Sequence, residues 1–434
     1  MTATIEAARA ILRDNDRGGY TVPTAGLYPY QWNWDAAFVA MGWITFDEPR
    51  AWREFDRLLE GQWADGMVPH IIFHGPKTEY FPGPDVWKTR HAVPTSGISQ
   101  PPVLATAVRH CWETGRDRAL AEDRTAALYP KILAWHRWWA SARDPEGRGL
   151  VGCLHPWESG MDNSPAWDAA FARVSPTPTT PIRRSDTGHV GADMRPSDDF
   201  YKRVIALIDL YASLQWEPSA LWARTPFNVA DLAINAILHR ANRDLLALAE
   251  RFGSTAERTE ISARLELTAS AINRLWSDAA GLYLPFDLIS GQPIEAPISA
   301  GFLPAWAGIA DAARVRTMAA TLERWTRTVR YLVPSTSPED PRFEPKRYWR
   351  GPIWCMMNMM IAEGFRAAGA SDLAARIKSD TAALISGAGF HEYFDPQTGA
   401  GLGGGHFSWT ASVALSWPLL EGMGTRAPVK TDRP

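Results

Sequence analysis

The sequence predicts a nearly all-α protein, a single helical barrel with long loops over one mouth. Apolar residues recur at helical spacing along most of the 434 residues, whereas strand-like segments are short and isolated. Three long stretches lack a helical period, and such loops within one compact domain usually carry function. We therefore expect one domain over 1–434, with its site among loops 64–100, 155–196 and 334–352.

Six segments show the helical pattern most clearly, with apolar residues on one face of each. They are 35–43, 48–63, 101–115, 124–142, 225–253 and 371–389. The fifth has a start signal at Thr225-Pro226 and a stop signal at Gly253, and the sixth has them at Ser371 and Gly387. A further amphipathic helix is expected at the N-terminus, where both charge signs argue against a signal peptide.

A short pattern recurs at three places: an aspartate, turn residues, a glycine and then apolar residues. It occurs at 144–150, 278–284 and 395–402. Each copy follows a helical pattern and precedes a short extended segment, so the recurrence predicts repeated helical hairpins with similar exit turns. The clearest strand candidate is VPHIIF at 68–73.

The composition excludes several classes of partner. A net charge of −3 gives no indication of binding to nucleic acid or to anionic membranes. No apolar run approaches the ~20 residues of a membrane-spanning helix. The three cysteines, Cys111, Cys153 and Cys355, lack metal-site spacing and predict reduced, buried thiols. We expect a cytoplasmic protein that binds neither nucleic acid nor membrane, and homo-oligomer formation stays open.

The chain contains 21 tryptophans, and several stand in loops rather than in helical patterns. Tryptophan packs in cores, but its flat ring also stacks on the apolar face of a sugar. Aromatic residues crowd the motifs YPYQWNWD (28–35), EYFPGPDVW (79–87), RYWRGPIW (347–354) and FHEYFDPQTGAGLGGGHFSWTAS (390–412). The first is a candidate stacking platform in which Asp35 accepts sugar hydroxyls, and Gln100 can both donate and accept hydrogen bonds. Core packing is the alternative.

The segment HPWESGMDNSP (155–165) places Glu158 and Asp162 beside Trp157 without a helical or strand period. Cleavage of a glycosidic bond uses two carboxyl groups on opposite faces of the sugar, one of them protonated. Apolar and like-charged neighbours raise a carboxyl pKa, and Trp157 and Glu158 would supply both for Asp162. Its partner must come from elsewhere in the chain, and Glu392 fits. The alternative for both acids is the capping of turns or helices.

The glycine-rich run after Glu392 raises the question of a phosphate-binding loop. No strand-loop-helix pattern with a trailing lysine accompanies it, which argues against phosphate binding. The sequence also has no H-E-x-x-H motif and no His/Asp cluster at ligand spacing, so no catalytic metal is expected. A structural calcium stays open.

Taken in order, YPYQWNWD, HPWESGMDNSP, YWRGPIW and FHEYFDPQTG…FSWTA resemble glycoside hydrolase family 63. Within it they look most like the short bacterial enzymes that hydrolyse glucosylglycerate or mannosylglycerate. The resemblance covers about residues 18–420. It implies an (α/α)6 barrel and an inverting mechanism without a cofactor, with Asp162 as general acid and Glu392 as general base.

The resemblance also implies a reaction and a pocket. The expected reaction is hydrolysis of glucosylglycerate to glucose and glycerate, and the alternatives are a mannosylglycerate hydrolase or a broader α-glucosidase. The residues that match the family's sugar pocket are Tyr28, Trp32, Trp34, Asp35, Gln100, Trp157, Gly160, Tyr348, Trp349 and Trp354. Those that match its glycerate end are Tyr80, Arg195 and Tyr201. The segment 176–190 has no clear match.

A glycerate carboxylate suits Arg195, because a planar guanidinium can donate two parallel N–H bonds. Its position after loop 174–190 predicts a place at the rim of the site, where an aglycone would lie. Arg183 and Arg184 are alternatives for this role, unless they are solvated loop charges.

Two other functions are compatible with the same motifs. His155, His391 and His406 lie in or near them, and a sugar epimerase built on the same barrel would use histidines as acid and base. A non-catalytic carbohydrate-binding protein would keep the aromatics without needing Asp162 or Glu392. The positions of these two acids favour the hydrolase.

Overall fold

The computed structural model describes residues 2–76, 78–184, 186–188 and 190–423, and α-helix dominates it. The helices are α1 (Thr2–Asp14), α2 (Asn33–Trp43), α3 (Glu48–Leu59), α4 (Pro84–Trp87), α5 (Leu104–Thr114), α6 (Arg118–Arg143), α7 (Asp168–Phe171), α8 (Asp198–Ser213), α9 (Pro218–Arg224), α10 (Leu232–Phe252), α11 (Thr255–Asn273), α12 (Leu303–Trp306), α13 (Ala312–Trp325), α14 (Cys355–Ala367), α15 (Ser371–Ala388) and α16 (Ser408–Met423). Short 3-10 turns occupy Pro156–Ser159, Pro165–Trp167, Asp186–Gly188, Ala192–Met194, Ser299–Phe302 and Tyr348–Arg350.

Six helices form a closed inner ring. Helix α2 packs on α5, α5 on α10, α10 on α12, α12 on α14, α14 on α16, and α16 returns to α2. The helices that alternate with them along the chain lie outside: α1 packs on α16, α3 on α2, α6 on α5 and α10, α11 on α10, and α15 on α14. This alternation of outer and inner helices is an (α/α)6 barrel, which confirms the predicted fold class.

The inner helices carry the core. Every residue of α2 is buried, as is most of α14, because these segments have apolar residues on all sides rather than along one stripe. The polar residues of α2 have specific places. Asn33 donates from Nδ2 to the carbonyls of Val68 and Pro69, which ties the start of α2 to the neighbouring loop. Asp35 faces the cavity described below.

The strands are two residues long and tie loops together. They are β1 (Gln31–Trp32), β2 (Ile71–Ile72), β3 (Val229–Ala230), β4 (Trp276–Ser277), β5 (Leu282–Tyr283), β6 (Phe286–Asp287), β7 (Gln292–Pro293), β8 (Tyr393–Phe394) and β9 (Gly401–Leu402). Pairing is antiparallel throughout: β1 with β2, β3 with β6 and then β7, β4 with β5, and β8 with β9. The strand predicted over 68–73 is thus the short β2, which pairs with β1 of the YPYQWNWD motif.

The helix predicted over 225–253 begins later than expected. It starts at Leu232, because Asp231 accepts a hydrogen bond from the Ile234 amide at 2.8 Å and caps the first turn. Val229, which the pattern placed on the helix face, lies in β3 and bridges to Cys153. An apolar run in a short buried strand has no signal that separates it from a helix start.

Other helix ends also differ from the expected bounds. The helix predicted over 48–63 ends at Leu59, and the one predicted over 124–142 begins at Arg118 because Asp117 caps it. In α15, Ser371 makes no capping hydrogen bond, and the helix continues past Gly387 to Ala388. Side-chain caps decide these ends more firmly than the apolar period does.

The three recurring turns are not one repeated device. The turn at 144–150 follows α6 as expected, but 278–284 closes the β4–β5 hairpin and 395–402 closes the β8–β9 hairpin. The shared pattern reflects the common need for an aspartate and a glycine in tight turns. In the described part of the chain, no helix is both long and apolar enough to span a membrane.

Candidate active site

A cavity of about 610 Å³ opens at the N-terminal ends of the inner helices. Its lining brings together all four aromatic motifs and the HPWESGMDNSP segment. The lining residues are Pro23, Tyr28, Trp32, Trp34, Asp35, His70, Tyr80, Phe81, Pro82, Gln100, Trp157, Gly160, Asp162, Arg195, Tyr201, Tyr348, Glu392, Phe407 and Trp409. Every residue that the sequence proposed for the site is included, except Trp349 and Trp354.

Aromatic rings meet edge to face around this cavity. Trp32 lies 5.3 Å from Tyr28 and 5.4 Å from Tyr80 between ring centroids, both nearly perpendicular. Trp34 packs against Gly160, which has a φ of +69° and would place a Cβ 2.6 Å from the indole. Only glycine fits there, because a side chain would strain the backbone and collide with the Trp34 ring.

Trp349 and Trp354 lie behind the cavity wall. Their rings stack at 3.8 Å with an angle of 4°, and both are almost fully buried. The Trp349 amide donates to Asn163 Oδ1 at 2.9 Å, next to Asp162 in the chain. These two tryptophans therefore support the wall, in contrast to the direct sugar contact that the motif suggested.

Asp162 lies in a turn after the 3-10 segment Pro156–Ser159. Burial raises the pKa of its carboxyl to about 8, and the charge of Glu392 adds to the rise while that of Arg195 opposes it. The carboxyl therefore keeps its proton near neutral pH. An aspartic acid in this state can give a proton to a ligand in the cavity.

Glu158 has a different role from the one its position suggested. Its carboxylate is fully buried and pairs with Arg143 at 2.6 Å, and it also accepts a hydrogen bond from the Leu154 amide at 2.8 Å. It does not line the cavity, and Glu392 is the carboxylate that raises the Asp162 pKa. The Glu158–Arg143 pair holds the base of the loop that carries Trp157 and Asp162.

Glu392 precedes β8 and is held by the glycine-rich loop. Its Oε1 accepts a hydrogen bond from Tyr28 Oη at 2.9 Å, and its Oε2 accepts one from the Gly404 amide at 3.2 Å. Gly403 has a φ of +69°, and a Cβ there would collide with Glu392 Oε2. The glycines thus make room for the carboxylate. Burial raises the Glu392 pKa, although Arg195 and the Gly404 hydrogen bond oppose the rise.

Asp35 is a third buried carboxyl group in the cavity. Burial raises its pKa well above the ordinary value, and Glu392 and Asp162 add to the effect. No hydrogen bond from a side chain or amide of another described residue reaches its carboxyl. It is therefore available to hydrogen-bond a hydroxylated ligand.

Arg195 is buried beside Glu392, deeper than the rim position expected from the sequence. Its Nη1 donates to Tyr28 Oη at 2.9 Å and lies 3.9 Å from Glu392 Oε1. Its Nε donates to Asp186 Oδ2 at 3.0 Å, and its guanidinium lies 4.3 Å from the Tyr348 ring centroid. Its Nε and Nη1 atoms are thus engaged within the protein. This limits the free bidentate fork that the sequence suggested.

Asp186 is a residue that sequence reasoning missed. Its Oδ2 accepts hydrogen bonds from Arg195 and, at 3.1 Å, from Tyr201 Oη, and Arg184 donates to both of its oxygens. Burial alone would raise the Asp186 pKa, but the two arginines lower it to about 2. Arg184 is committed to this contact and to Asp198, whereas Arg183 is exposed. The segment 176–190 matched no motif, so no sequence signal pointed to Asp186.

Further lining residues had weak signals. Phe81, Pro82, Phe407 and Trp409 lie inside motifs whose other members were chosen. His70 stands in the strand candidate 68–73 and stacks on Trp157 at 6.2 Å. Pro23 had no signal. Periodicity cannot tell which neighbours of a chosen motif residue turn toward the cavity.

The histidines do not form an acid–base pair in the cavity. His155 is buried with Nε2 3.2 Å from the Val204 carbonyl, and burial lowers its pKa to about 3. His391 and His406 do not line the cavity. Within the described ranges, no group of three or more His, Cys, Asp or Glu side chains is placed to hold a metal ion.

Comparisons with known proteins agree on one family. Residues 28–410 match the family described as the mannosylglycerate hydrolase MGH1-like glycoside hydrolase domain. The mannosylglycerate hydrolase of Thermus thermophilus is 49% identical over 94% of this chain and 98% of its own. The glucosylglycerate hydrolase of Mycolicibacterium hassiacum is 35% identical over 96% and 98%.

A solved structure shares the fold over its whole length. A family 63 mannosylglycerate hydrolase from Thermus thermophilus, in complex with Tris and D-glycerate, superposes with a TM-score of 0.93. It is 48% identical and covers 96% of this chain and 100% of its own. The sequence-based resemblance is thus confirmed: the chain belongs to the MGH1-like family and is a glycoside hydrolase of family 63.

Proposed function

We propose that this protein is an inverting hydrolase that releases a hexose and glycerate from an α-hexosylglycerate. The observation that carries the proposal is one cavity with two carboxyl groups in different surroundings. Burial raises the pKa of Asp162 to about 8, whereas Glu392 accepts hydrogen bonds from Tyr28 and the Gly404 amide. A pair of carboxyl groups with unlike environments is the signature of acid and base assignments.

Asp162 is the general acid in this proposal. It donates its proton to the glycosidic oxygen as the bond breaks, which lets the glycerate hydroxyl leave without a negative charge. Its buried surroundings favour the protonated form before the reaction. Once the proton is gone, the nearby positive charge of Arg195 stabilises the carboxylate.

Glu392 is the general base. It takes a proton from a water molecule that attacks the anomeric carbon on the face opposite the leaving group, so the configuration inverts. Two hydrogen bonds fix the orientation of its carboxylate, one from Tyr28 and one from the glycine-rich loop. Arg195 opposes the effect of burial on its pKa, which keeps a fraction of the base ionised.

The remaining polar groups suit a hydroxylated hexose and an anionic aglycone. Asp35 and Gln100 offer acceptors and donors to sugar hydroxyls. Arg195 keeps N–H groups for a carboxylate after its bonds to Asp186 and Tyr28, and Tyr80 and Tyr201 line the same cavity. A relative that is described in complex with D-glycerate supports a glycerate end.

Mannose is the hexose we place first. The sequence motifs put glucosylglycerate ahead, but the mannosylglycerate hydrolase of Thermus thermophilus is 49% identical, against 35% for the glucosylglycerate hydrolase. The two sugars differ only in the orientation of the C2 hydroxyl. Glucosylglycerate hydrolysis and a broader α-glucosidase activity are the alternatives.

A panel of four substrates tests the proposal: mannosylglycerate, glucosylglycerate, and the corresponding glycosides of glycerol. We expect mannosylglycerate to have the highest kcat/KM and both glycerol glycosides to be poor. Proton NMR during the first turnovers should show the β-anomer of the released hexose, because the substrate is α-linked. Early α-anomer would contradict inversion. Binding without hexose release would point to a carbohydrate-binding protein, and conversion of the sugar without release would point to an epimerase.

A further inference from the structure

Asp186 joins two side chains on the proposed glycerate side of the cavity. A single oxygen, Oδ2, accepts from Arg195 Nε at 3.0 Å and from Tyr201 Oη at 3.1 Å. The Arg184 guanidinium contacts both oxygens of the carboxylate, with Nε 3.0 Å from Oδ1 and Nη2 2.8 Å from Oδ2. Arg184 also lies over the Tyr201 ring, 4.0 Å from its centroid.

Asp186 itself does not line the cavity, whereas Arg195 and Tyr201 do. Its side chain is buried, so solvent does not weaken these contacts. Any influence on a ligand must therefore pass through Arg195 or Tyr201. Arg195 is closer to Asp186 than to Glu392. Its Nε lies 3.0 Å from Asp186 Oδ2, whereas its Nη1 lies 3.9 Å from Glu392 Oε1.

We propose that Asp186 is a positioning residue, which holds Arg195 and Tyr201 in the orientation that receives the carboxylate of the aglycone. This inference rests on the proposed function. It adds a residue outside the cavity, in the segment 176–190, to the determinants of specificity for an anionic substrate.

The geometry explains why a carboxylate is needed at this point. A guanidinium has several rotamers and two edges, and the bond to Asp186 commits the Nε edge to the protein. The bond to Tyr28 commits one N–H of Nη1. Without Asp186, the positive charge would be free to turn toward Glu392, the next carboxylate, and would leave the ligand's carboxylate. Asp186 has a pKa of about 2, so it is anionic at any pH used for an assay.

The experiment is a double-mutant cycle with Asp186→Ala and Arg195→Ala, measured on mannosylglycerate and on its glycerol counterpart. Charge-assisted contacts of this kind change binding by about ten- to a hundredfold. We expect Asp186→Ala to raise KM for mannosylglycerate by about tenfold or more, and to change kcat/KM for the glycerol compound less than about threefold. In the Arg195→Ala background, the added Asp186→Ala change should raise KM less than about threefold, because its main route of action is gone.

Asp287→Ala is the matched control. Asp287 is a buried aspartate that makes a bidentate ion pair with Arg173, at 2.7 and 2.9 Å, and neither residue lines the cavity. It should lose stability without a substrate-dependent change in KM. Asp186→Asn serves as the milder variant if Asp186→Ala does not fold, and it should give an intermediate rise in KM.

The outcomes separate the two proposals. If the wild-type protein cleaves neither hexosylglycerate, the proposed function is wrong. If it cleaves mannosylglycerate but Asp186→Ala loses equally on both substrates, or adds its full effect in the Arg195→Ala background, Asp186 is only a support for the loop. An unchanged KM in Asp186→Ala would overturn the inference in the same way.

Discussion

The cavity at the N-terminal ends of the inner helices has a counterpart at their C-terminal ends. The counterpart measures about 970 Å³ and is lined by residues of α2, α5, α10, α12 and α14. Both cavities are rich in charge. In the lower one, Asp244 accepts hydrogen bonds from Thr106, Arg109 and Arg240, and Arg109 also pairs with Glu113. In the upper one, Asp162 and Glu392 both interact with the charge of Arg195, the one arginine among the described lining residues.

The two ends differ in how well their charges are balanced. Each lower carboxylate has an arginine partner that compensates for its burial. The upper carboxyls are buried with fewer cations than charges, which raises their pKa values. Buried carboxyl groups with raised pKa values are typical of functional sites, because catalysis uses their altered protonation. Predictions that neutralise one carboxyl at each end test this contrast directly.

The largest effect is expected at the upper cavity. Asp162→Asn and Glu392→Gln keep side-chain shape while removing the acid or the base, and each should lower kcat by about a hundred- to ten-thousandfold. Both variants should bind mannosylglycerate, as isothermal calorimetry would show. A kcat near the wild-type value in either variant would return that residue to the capping role.

Neutralising the lower cavity should affect stability alone. Removing one partner of a fully buried ion pair costs about 3–5 kcal/mol, but Arg109 and Arg240 are about one-third exposed, which reduces the cost. We expect Asp244→Ala to lower the free energy of unfolding by about 2 kcal/mol, measured by urea denaturation. Its kcat/KM should match the wild type. A drop in kcat/KM as large as that of Asp162→Asn would abolish the contrast between the two ends.

The pH dependence should show the same contrast with a smaller effect. Asp162 is protonated, and so able to act as an acid, below its pKa of about 8. We expect kcat/KM to fall about tenfold per pH unit above that value, and to fall at low pH as Glu392 takes up a proton. Asp162 and Glu392 interact, so the two limbs belong to the pair. Asp244→Ala should leave the profile unchanged, whereas a profile that stays flat at high pH would exclude an acid with this pKa.

The same proton links pH to stability. The Asp162 pKa is raised in the folded state, so the folded protein binds the proton more tightly than the unfolded chain does. The stability contributed by this protonated group is full below the ordinary pKa of 3.8 and is lost as pH rises toward about 8. An asparagine side chain cannot titrate, so Asp162→Asn should not lose stability in this way. The difference in unfolding free energy between Asp162→Asn and the wild type should therefore increase in favour of the variant as pH rises from 3.8 to about 8.

The sequence was sufficient for the fold class because apolar periodicity is a local signal. The inner helix α2 is apolar on all sides, and the pattern identifies it without knowledge of its neighbours. Helix α14, which is also largely buried, was not among the six predicted segments. The predicted helix ends were less accurate, as Asp231 and Ser371 show. Whether a side chain caps a helix depends on the backbone conformation around it, which the sequence pattern does not give. Short strands such as β3 form only through partners far along the chain.

The candidate site was predictable where motifs carried it. Asp162, Glu392 and Asp35 meet in one cavity, as their motifs suggested. The exact neighbours were not predictable: Glu158 is near Asp162 in sequence but pairs with Arg143. Arg195 is drawn inward by Glu392 and Asp186, and neither contact is visible as a spacing. The catalytic roles of these residues stay predictions until the variants are measured.

The hydrogen bond between Tyr28 and Glu392 joins residues 364 positions apart. Nearby contacts also join residues that are far apart in the sequence: Asn15 Nδ2 donates to the His406 carbonyl, and Thr24 Oγ1 donates to the Gly405 carbonyl. A ribosome adding about 5–20 residues per second needs roughly 20–70 s to pass from Tyr28 to Glu392. During that time the aromatic N-terminal motif can contact β2, Tyr80 and Gln100, but it lacks Glu392 and the glycine-rich loop. The site therefore forms last, when the final helix closes the ring and brings the beginning of the chain to its end.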